Sequence, residues 1–434
     1  MTNKIVHVIG GGTRFYIDSH LYLGSKALGN TARRIVELCR RRPEMDVRLH
    51  LTAMAEPFVP TPVEEMMPGC AMGSNSQRNT LDTNADLNKL VEKLVADPTT
   101  KIVFFNAAVV DFEGQVSGAA PSDKYAERLS TSAPDGSSRG YLMHLTPSEK
   151  IVRRIRATRK DIFLVAFKQT SGASADEQYR QGLNMLKAAS ANLVLANDSK
   201  TRLNMIIVPE EATYHVTTDR RVALDALVEM AYLRSHLTFT RSTVVAGEPV
   251  PWESDLVPPA LRAVVDHCIE RGAYKKFRGV TAGHFAVKVD DTTFLTSRRK
   301  TDFNDMKRVG LVKVKTDGPD SVIAYGSKPS VGGQSQRIVF TEHEDADCIV
   351  HFHCPKKPDS LVPTVSQREY ECGSHECGRN TSRGLKRFGN LLAVYLDEHG
   401  PNIVFSKSID PQEVVDFIEA NFVLTDKTGG YAIA

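Results

Sequence analysis

No apolar run in this chain approaches the length of a membrane span. The N-terminus lacks the basic-then-apolar pattern of a secretory signal, so a cytoplasmic protein with no membrane partner is expected. Cysteine is scarce, with seven in 434 residues. The number is odd, and Cys348, Cys354, Cys372 and Cys377 crowd late in the chain, which does not look like a disulfide scaffold. Cys354, Cys372, His375 and Cys377 could make a second metal cluster, but without a paired CxxC the favoured reading is free thiols in a reduced compartment. An excess of charge of one sign is also lacking. Lys and Arg number 55 against 52 Asp and Glu, a formal net charge of +3, so no nucleic-acid footprint is expected. Repeats and low-complexity tracts are absent, and the two halves of the chain are therefore unrelated. What remains is ordinary globular composition, 41% hydrophobic and 25% charged, long enough for two or three domains that each bury a core.

The stretch that organises the first half is VIGGGTRFYID, Val8 to Asp18. Residues 5–9 read as a buried strand. Gly10, Gly11 and Gly12 let the backbone turn closely enough for its N–H groups to face an anion, and Thr13 adds a hydroxyl. Ala32, Ile35, Val36 and Cys39 recur at helical spacing, so a helix is expected to point its N-terminus at that loop. A tight strand-to-helix turn without any ligand is the competing reading. Strands are expected at 47–54, 162–167 and 193–198, and 101–112 reads as a buried strand running into a loop that carries one acid, with helices at 87–95, 149–156 and 177–188. Apolar strands alternating with helices indicate a parallel sheet covered on both faces. Ligands gather at the carboxyl ends of such strands, where Gly10 to Thr13, Asp111, Lys168 with Gln169, and Asn197 with Asp198 all lie.

Five motifs in this order, GGGTRFYID, NAAVVDF, LTPSEKIV, VAFKQT and LVLANDSKTRLN, make residues 4–232 resemble the phosphopantothenate–cysteine ligase (phosphopantothenoylcysteine synthetase) family. The resemblance implies a Rossmann-like sheet that binds CTP or ATP with magnesium, activates a carboxylate as an acyl-nucleotide, and forms an amide. By position it assigns Gly10, Gly11, Gly12 and Thr13 to phosphate or substrate, and Asp111 and Lys124 to the nucleotide and its triphosphate. It also places Thr146, Pro147, Phe167, Asn197 and Asp198 around the nucleotide, with Lys187 nearest to the lysines expected before the last strand. Pyrophosphate departure needs such lysines and a metal to neutralise charge. The chain departs from the family where an asparagine tied to acyl transfer is missing, leaving Ser25 and Lys26 to stand in. Lys168 and Gln169 also replace an acidic residue.

Residues 235–260 loosen into polar residues and prolines and read as a boundary. Beyond it, 261–271 reads as an amphipathic helix and 283–289 with 293–296 as a hairpin turning at Asp290 and Asp291. In Cys348-Ile-Val-His351-Phe-His353 a strand projects both histidines from one face, so both can bind one metal. His399, beside Gly400, is the candidate third ligand, and two ordinary hydrogen-bonded histidines are the competing reading. The opening helix, GHFAVKV, FLTSRR, GSKPS, VHFHCP and LDEHG make residues 257–422 resemble the class II aldolase and adducin family. That resemblance implies an α/β domain in which His351, His353 and His399 hold a divalent metal, usually zinc, and stabilise an enediolate. It places Thr296, Ser297 and Ser330 at a phosphate, with Arg298 beside them. Gly332 stands where catalytic members carry a proton-carrying glutamate, and Glu371, Glu376 and Asp302 are the candidate replacements.

The expectation is an α/β chain of two domains, 1–235 and 257–434, joined by a linker at 236–256. It would be a homo-oligomeric bifunctional enzyme acting on a small anionic molecule, with Asp111, Lys124 and Lys26 as catalytic residues of the first domain. The alternative is a binding or scaffold protein that keeps one or both folds without turnover.

Overall fold

A computed structural model describes residues 4–55 and 81–433, apart from the side chains of 332–335. The chain divides into two compact units, one of residues 1–169, 184–197 and 219–231, the other of 170–183, 198–218 and 232–434.

In the first unit, strands β1 (Ile5–Gly12), β4 (Asp46–Leu51), β5 (Thr100–Ala108), β8 (Phe163–Thr170) and β9 (Leu193–Asp198) lie in the order β9-β8-β5-β1-β4. The pairs β1–β4, β1–β5 and β5–β8 are parallel. Every residue of β1 is buried, as a strand covered on both faces requires. Helix α1 (Asn30–Arg40) buries Ala32, Ile35, Val36, Leu38 and Cys39, and α2 (Asn84–Ala96) starts with a reciprocal cap between Thr83 and Asp86. Helix α3 spans Val152–Thr158. Two small hairpins, β2 (Arg14–Tyr16) with β3 (Tyr22–Gly24) and β6 (Phe112–Val116) with β7 (Met143–Pro147), stand apart from the sheet. The run over 101–112, expected as a strand passing into a loop with one acid, leaves the strand at Ala108 and carries Asp111 in the loop, and Phe112 opens a separate hairpin.

An unusual feature of this sheet is a histidine pair. His7 Nδ1 lies 3.0 Å from His50 Nε2, and the Thr100 hydroxyl is 3.3 Å from His7 Nε2. Burial, and for His7 the facing His50, hold the two well below an ordinary imidazole, at about 3 and about 4. Both rings stay neutral in the fold, whereas the unfolded chain protonates them near 6.5. The unfolded state thus binds more protons below that pH, and stability falls as pH drops from about 6.5 toward 4. The urea midpoint is expected to decrease between pH 7.5 and pH 5, and the decrease is expected to shrink in a His7→Gln, His50→Gln variant.

The second unit carries a hairpin, β10 (Asn204–Ile207) with β11 (Thr213–Thr217), and a ten-stranded sheet. The sheet's strands are β12 (Arg241–Val245), β15 (His284–Lys288), β16 (Thr293–Ser297), β17 (Leu311–Thr316), β18 (Ser321–Tyr325), β19 (Cys348–His351), β20 (Thr364–Val365), β21 (Lys386–Phe388), β22 (Leu391–Leu396) and β23 (Gly400–Phe405). Their order is β12-β18-β17-β16-β15-β19-β23-β22-β20, with β21 on β22. Cys348 and Val350 of β19 join Trp252, Val264, Phe285, Ile403 and Phe422 on one face. Ile349 joins Phe294, Val314, Val339 and Val404 on the other, as period-two alternation demands. The hairpin expected over 283–296 is present, with β15 and β16 antiparallel. The stretch read as a boundary holds more structure than its composition suggests. Within it β12 pairs parallel with β18, and Val250 exchanges two 2.8 Å backbone hydrogen bonds with Leu311. The prolines of this stretch, at 249, 251, 258 and 259, all follow β12, which is an edge strand, where missing N–H donors cost little.

Candidate active sites

The first candidate site lies at the carboxyl ends of β1 and β5. Gly10, Gly11 and Gly12 do not form an open loop. They continue β1, registered against Asn106, Ala107 and Ala108 of β5. What requires glycine is close packing, since a Cβ on Gly10 would lie 2.3 Å from the Ala32 methyl and one on Gly12 1.7 Å from the Ser25 carbonyl. Gly11 has φ +96 and would meet Thr52 Oγ1 at 2.1 Å. The Thr13 hydroxyl is likewise committed, donating to Asn84 Oδ1 at 2.7 Å and accepting from Val110 N at 2.8 Å. Gly29, the left-handed residue before α1, still brings that helix's N-terminus close to Gly11.

The exposed polar residues are arranged in two clusters. Lys150 Nζ donates to Asp111 Oδ1 at 2.5 Å beside the β6–β7 hairpin, where Pro147 faces Phe112 and Thr146 faces Glu113. Thr146 is exposed and its hydroxyl reaches the Glu113 carbonyl at 3.4 Å. Lys124 instead belongs with Asp82, donating at 3.2 Å, and Asp82 also accepts from Arg14 at 3.1 Å and from the Tyr16 hydroxyl at 2.6 Å. The Asp82 carboxylate raises the Lys124 ammonium above its ordinary value. Asp111 and Lys124 are therefore partnered separately. Sequence reasoning passed over Lys150, although it lies in the LTPSEKIV motif, and the Arg14–Tyr16–Asp82 group, whose members are brought together only by folding.

Other assigned residues are distributed as follows. Phe167 is half-buried, and Lys187 and Lys26 are exposed, while Ser25 Oγ donates to the Val109 carbonyl at 3.1 Å. Asn197, the penultimate residue of β9, is half-buried. Asp198 in the second unit is internal. Its carboxylate accepts from Thr170 Oγ1 and from the backbone of Ala173, Lys200 and Thr201, all within 3.0 Å. Those backbone donors push its pKa far below the usual carboxylate range. It shapes the turn after β9 and has no oxygen to spare for a ligand.

The second candidate site lies on the ten-stranded sheet. His351 ends β19 on the face of Ile349, and His353 follows two residues later. His399 precedes Gly400, which has φ +146 and where a Cβ would lie 2.1 Å from the Phe352 carbonyl oxygen. One nitrogen from each of the three rings falls within 4.8 Å of the others, and all three residues are buried. The carbonyl of Pro401 can only accept, so the 2.6 Å contact from His351 Nδ1 fixes the proton there. His351 Nε2 then presents a lone pair, 3.2 Å from His399 Nε2. His399 Nδ1 is buried with no hydrogen-bond partner. Burial holds His351 down at about 4 and pushes His399 well below an ordinary imidazole, so these two rings stay neutral. Neutral imidazoles converging on one point, with a carbonyl setting the tautomer, fit a divalent cation. Three protein ligands leave a coordination position open, as in catalytic rather than structural sites.

A small cavity of about 10 Å³ adjoins this cluster, lined among others by His284, Gln336, His351, Cys372, Cys377 and His399. His284 stacks obliquely on His351, ring centroids 4.7 Å apart, and its Nδ1 is bonded by Gln336. Gln336 went unnoticed in the sequence, yet it lies one turn along α8 (Val331–Glu342) from Gly332. The signal was therefore helical spacing.

Among the residues assigned to phosphate, the Thr296 hydroxyl donates to the Phe285 carbonyl at 3.2 Å. Arg298 turns back onto Ser327 Oγ and the Val309 carbonyl. Ser297 Oγ is buried without a partner, and Ser330 N-caps α8 with its side chain uncommitted to the helix. Two candidate bases are committed elsewhere. Glu376 accepts from Thr238 N, and Asp302 caps the Phe303–Asp305 turn while pairing with Lys276. Glu371 faces Arg299 and Arg234 electrostatically.

Residues 264–357 match the family model of the Class II Aldolase and Adducin N-terminal domain. This aldolase-like region takes in the second half of α6 (Pro259–Glu270), β15 to β19, and both histidines of the H-x-H segment. The N-terminal half is similar to the coenzyme A biosynthesis bifunctional protein CoaBC of Thermococcus kodakarensis, at 23% identity over 200 residues, 46% of this chain and 42% of that protein. The chain thus spans less than half the length of this curated relative. Two solved structures are similar at lower identity. The DNA/pantothenate metabolism flavoprotein from Streptococcus pneumoniae is 19% identical over 53% of this chain and 100% of its own, with a TM-score of 0.41. The L-fuculose-1-phosphate aldolase from Thermus thermophilus is 18% identical over 40% and 89%, with a TM-score of 0.28. No helix among the described residues is long and apolar enough to cross a membrane.

Proposed function

We propose that this chain is a bifunctional metabolic enzyme, with nucleotide-dependent carboxylate activation and amide ligation in its N-terminal half and divalent-metal-dependent aldolase or epimerase-type chemistry in its aldolase-like region. The observation that carries the reading is the convergence of His351, His353 and His399 with the His351 tautomer held by Pro401. In the first half, Asp111, Lys150 and Thr146 receive the CTP or ATP with its magnesium, and Lys124 offers a further positive charge for the departing pyrophosphate. The five motifs and the similarity to CoaBC support this assignment. In the second half, the three histidines hold the cation, zinc above all. When bound, it polarises a carbonyl or hydroxyl oxygen of the substrate. Ser297 Oγ, unpartnered and buried, and Ser330 at the start of α8 receive the anionic end of the substrate. The substrate is a small phosphorylated or carboxylated molecule, and the enzyme works as a cytoplasmic homo-oligomer.

A second reading has one specific observation behind it. Gly332 supplies no proton carrier at the start of α8, which favours a binding or scaffold module that keeps the metal without turnover. One experiment separates the two. Pyrophosphate release from CTP or ATP is measured with candidate acids, and cleavage of phosphorylated aldols is measured with and without a chelator. Release that falls at least tenfold in Lys150→Ala, together with chelator-sensitive aldol cleavage, is the expected result. Absence of both activities across the screen, in protein that retains metal, overturns the enzyme in favour of the binding module.

A further inference from the structure

The second unit carries a pair of thiols that the proposed ligase and aldolase chemistry does not use, and their reactivity does not depend on it. Cys372 and Cys377 both line the cavity beside His284, His351 and His399. Between them Gly373 adopts φ +89 against Val331, where a Cβ would come within 2.0 Å of Val331 Cγ1. The chain thereby folds back on itself as it enters α9 (His375–Gly384). Ser374 caps that helix by accepting from Cys377 N at 3.0 Å, and Cys377 occupies its first turn. The Cys372 thiol shares a hydrogen bond with the Cys377 sulfur across that turn. Gln367 Nε2 donates a second hydrogen bond to the same sulfur at 3.3 Å. Gln367 is itself held in place, because Arg234 bonds its carbonyl at 3.2 Å.

The hydrogen bonds made by the sulfurs themselves favour negative charge on Cys377 and a proton on Cys372. Two donors and a helix N-terminus face Cys377, and the hydrogen bond from Cys372, the strongest of these influences, pulls its thiol below the ordinary value. The same hydrogen bond pushes Cys372 up. Buried structural cysteines behave otherwise. Cys268 and Cys354 are raised by burial, the latter to about 12, and Cys354 spends its S–H on the carbonyls of Ala273 and Leu424.

We propose that Cys372 and Cys377 are a peroxide-reactive dithiol, with Cys377 the attacking sulfur and Cys372 the resolving one, which closes to an internal disulfide in the wall of the histidine cavity. The Cys377 thiolate attacks a hydroperoxide oxygen, so an S–O bond forms, the O–O bond breaks and the leaving hydroxide takes a proton from solvent. Cys372 then attacks the sulfenic sulfur. An S–S bond forms, the S–O bond breaks, and the departing hydroxide leaves as water with the Cys372 proton. Two thiols and one hydrogen peroxide yield one disulfide and two waters. Reduction by a cellular dithiol restores the pair.

The test is a peptide map of the full chain after one equivalent of hydrogen peroxide, with free thiols alkylated in denaturant. Trypsin places both cysteines in the single peptide Glu369–Arg379. In the wild type that peptide is expected to escape alkylation and to weigh two hydrogens less, and dithiothreitol should reverse both changes. Cys377→Ser should leave Cys372 fully alkylatable. Cys372→Ser should accumulate a sulfenic acid at Cys377 that dimedone captures. A wild-type peptide that remains doubly alkylated overturns the proposal, as does a Cys372→Ser protein that keeps its far-UV spectrum and takes up no dimedone. Should a serine variant unfold, the wild-type map decides alone.

Discussion

Alanine at His351 is expected to abolish metal retention. Wild-type protein should carry about one equivalent of divalent metal per chain, zinc above all, and His351→Ala should fall to background, because losing one of three ligands weakens binding by more than about 100-fold. His351 is central in two ways: its Nε2 faces His399 Nε2 at 3.2 Å, and its ring contacts both partners, with centroids 5.0 Å from His353 and 4.6 Å from His399. Elemental analysis after gel filtration checks this, with His353→Gln as a second, smaller perturbation should the alanine variant be unstable. Metal absent from the wild type even after reconstitution would remove the lyase reading altogether. Metal retained at wild-type level in both variants would show that the ion sits elsewhere.

The second large effect concerns stability. Arg234 and Glu210 form an ion pair with no side-chain exposure on either partner, Nη2 to Oε1 at 2.7 Å. Arg234 also donates to the carbonyls of Arg368 at 2.9 Å and Gln367 at 3.2 Å. Arg234→Met leaves a buried carboxylate uncompensated and is expected to destabilise the protein by about 3–5 kcal/mol. For a unit of this size that corresponds to a fall of about 10 °C in Tm. The pair is not fully satisfied, however, since Arg234 Nη1 and Glu210 Oε2 are buried without partners. The double variant Arg234→Met, Glu210→Leu is therefore expected to recover most of the loss. Calorimetry of the single and double variants distinguishes this from simple loss of packing, for which the two substitutions would add.

The alternation of apolar strands with amphipathic helices is a local property, so the parallel sheet of the first unit could be anticipated from periods of two and 3.6 residues alone. Strand periodicity likewise put His351 and His353 on one face, and the turn at Gly400 made His399 a reasonable third member. The strand within residues 235–260 is hard to read for a related reason. An edge strand such as Arg241–Val245 owes its structure to a partner, Ser321–Tyr325, some eighty residues away, and carries little signal of its own.

Local pattern thus determined the fold class, the free-thiol character of the cysteines and the candidate ligand sets. The tertiary structure decided which of those polar groups are still available to a ligand. Gly10 to Gly12 are required by Ala32, Thr52 and Ser25 pressing on the strand, Asp198 is saturated by its own turn, and Arg298 is turned inward onto Val309. The reason is physical: a motif reports residue type and spacing, but a side chain's hydrogen-bonding capacity is divided among whatever groups folding brings within about 3 Å, most of them distant in the chain.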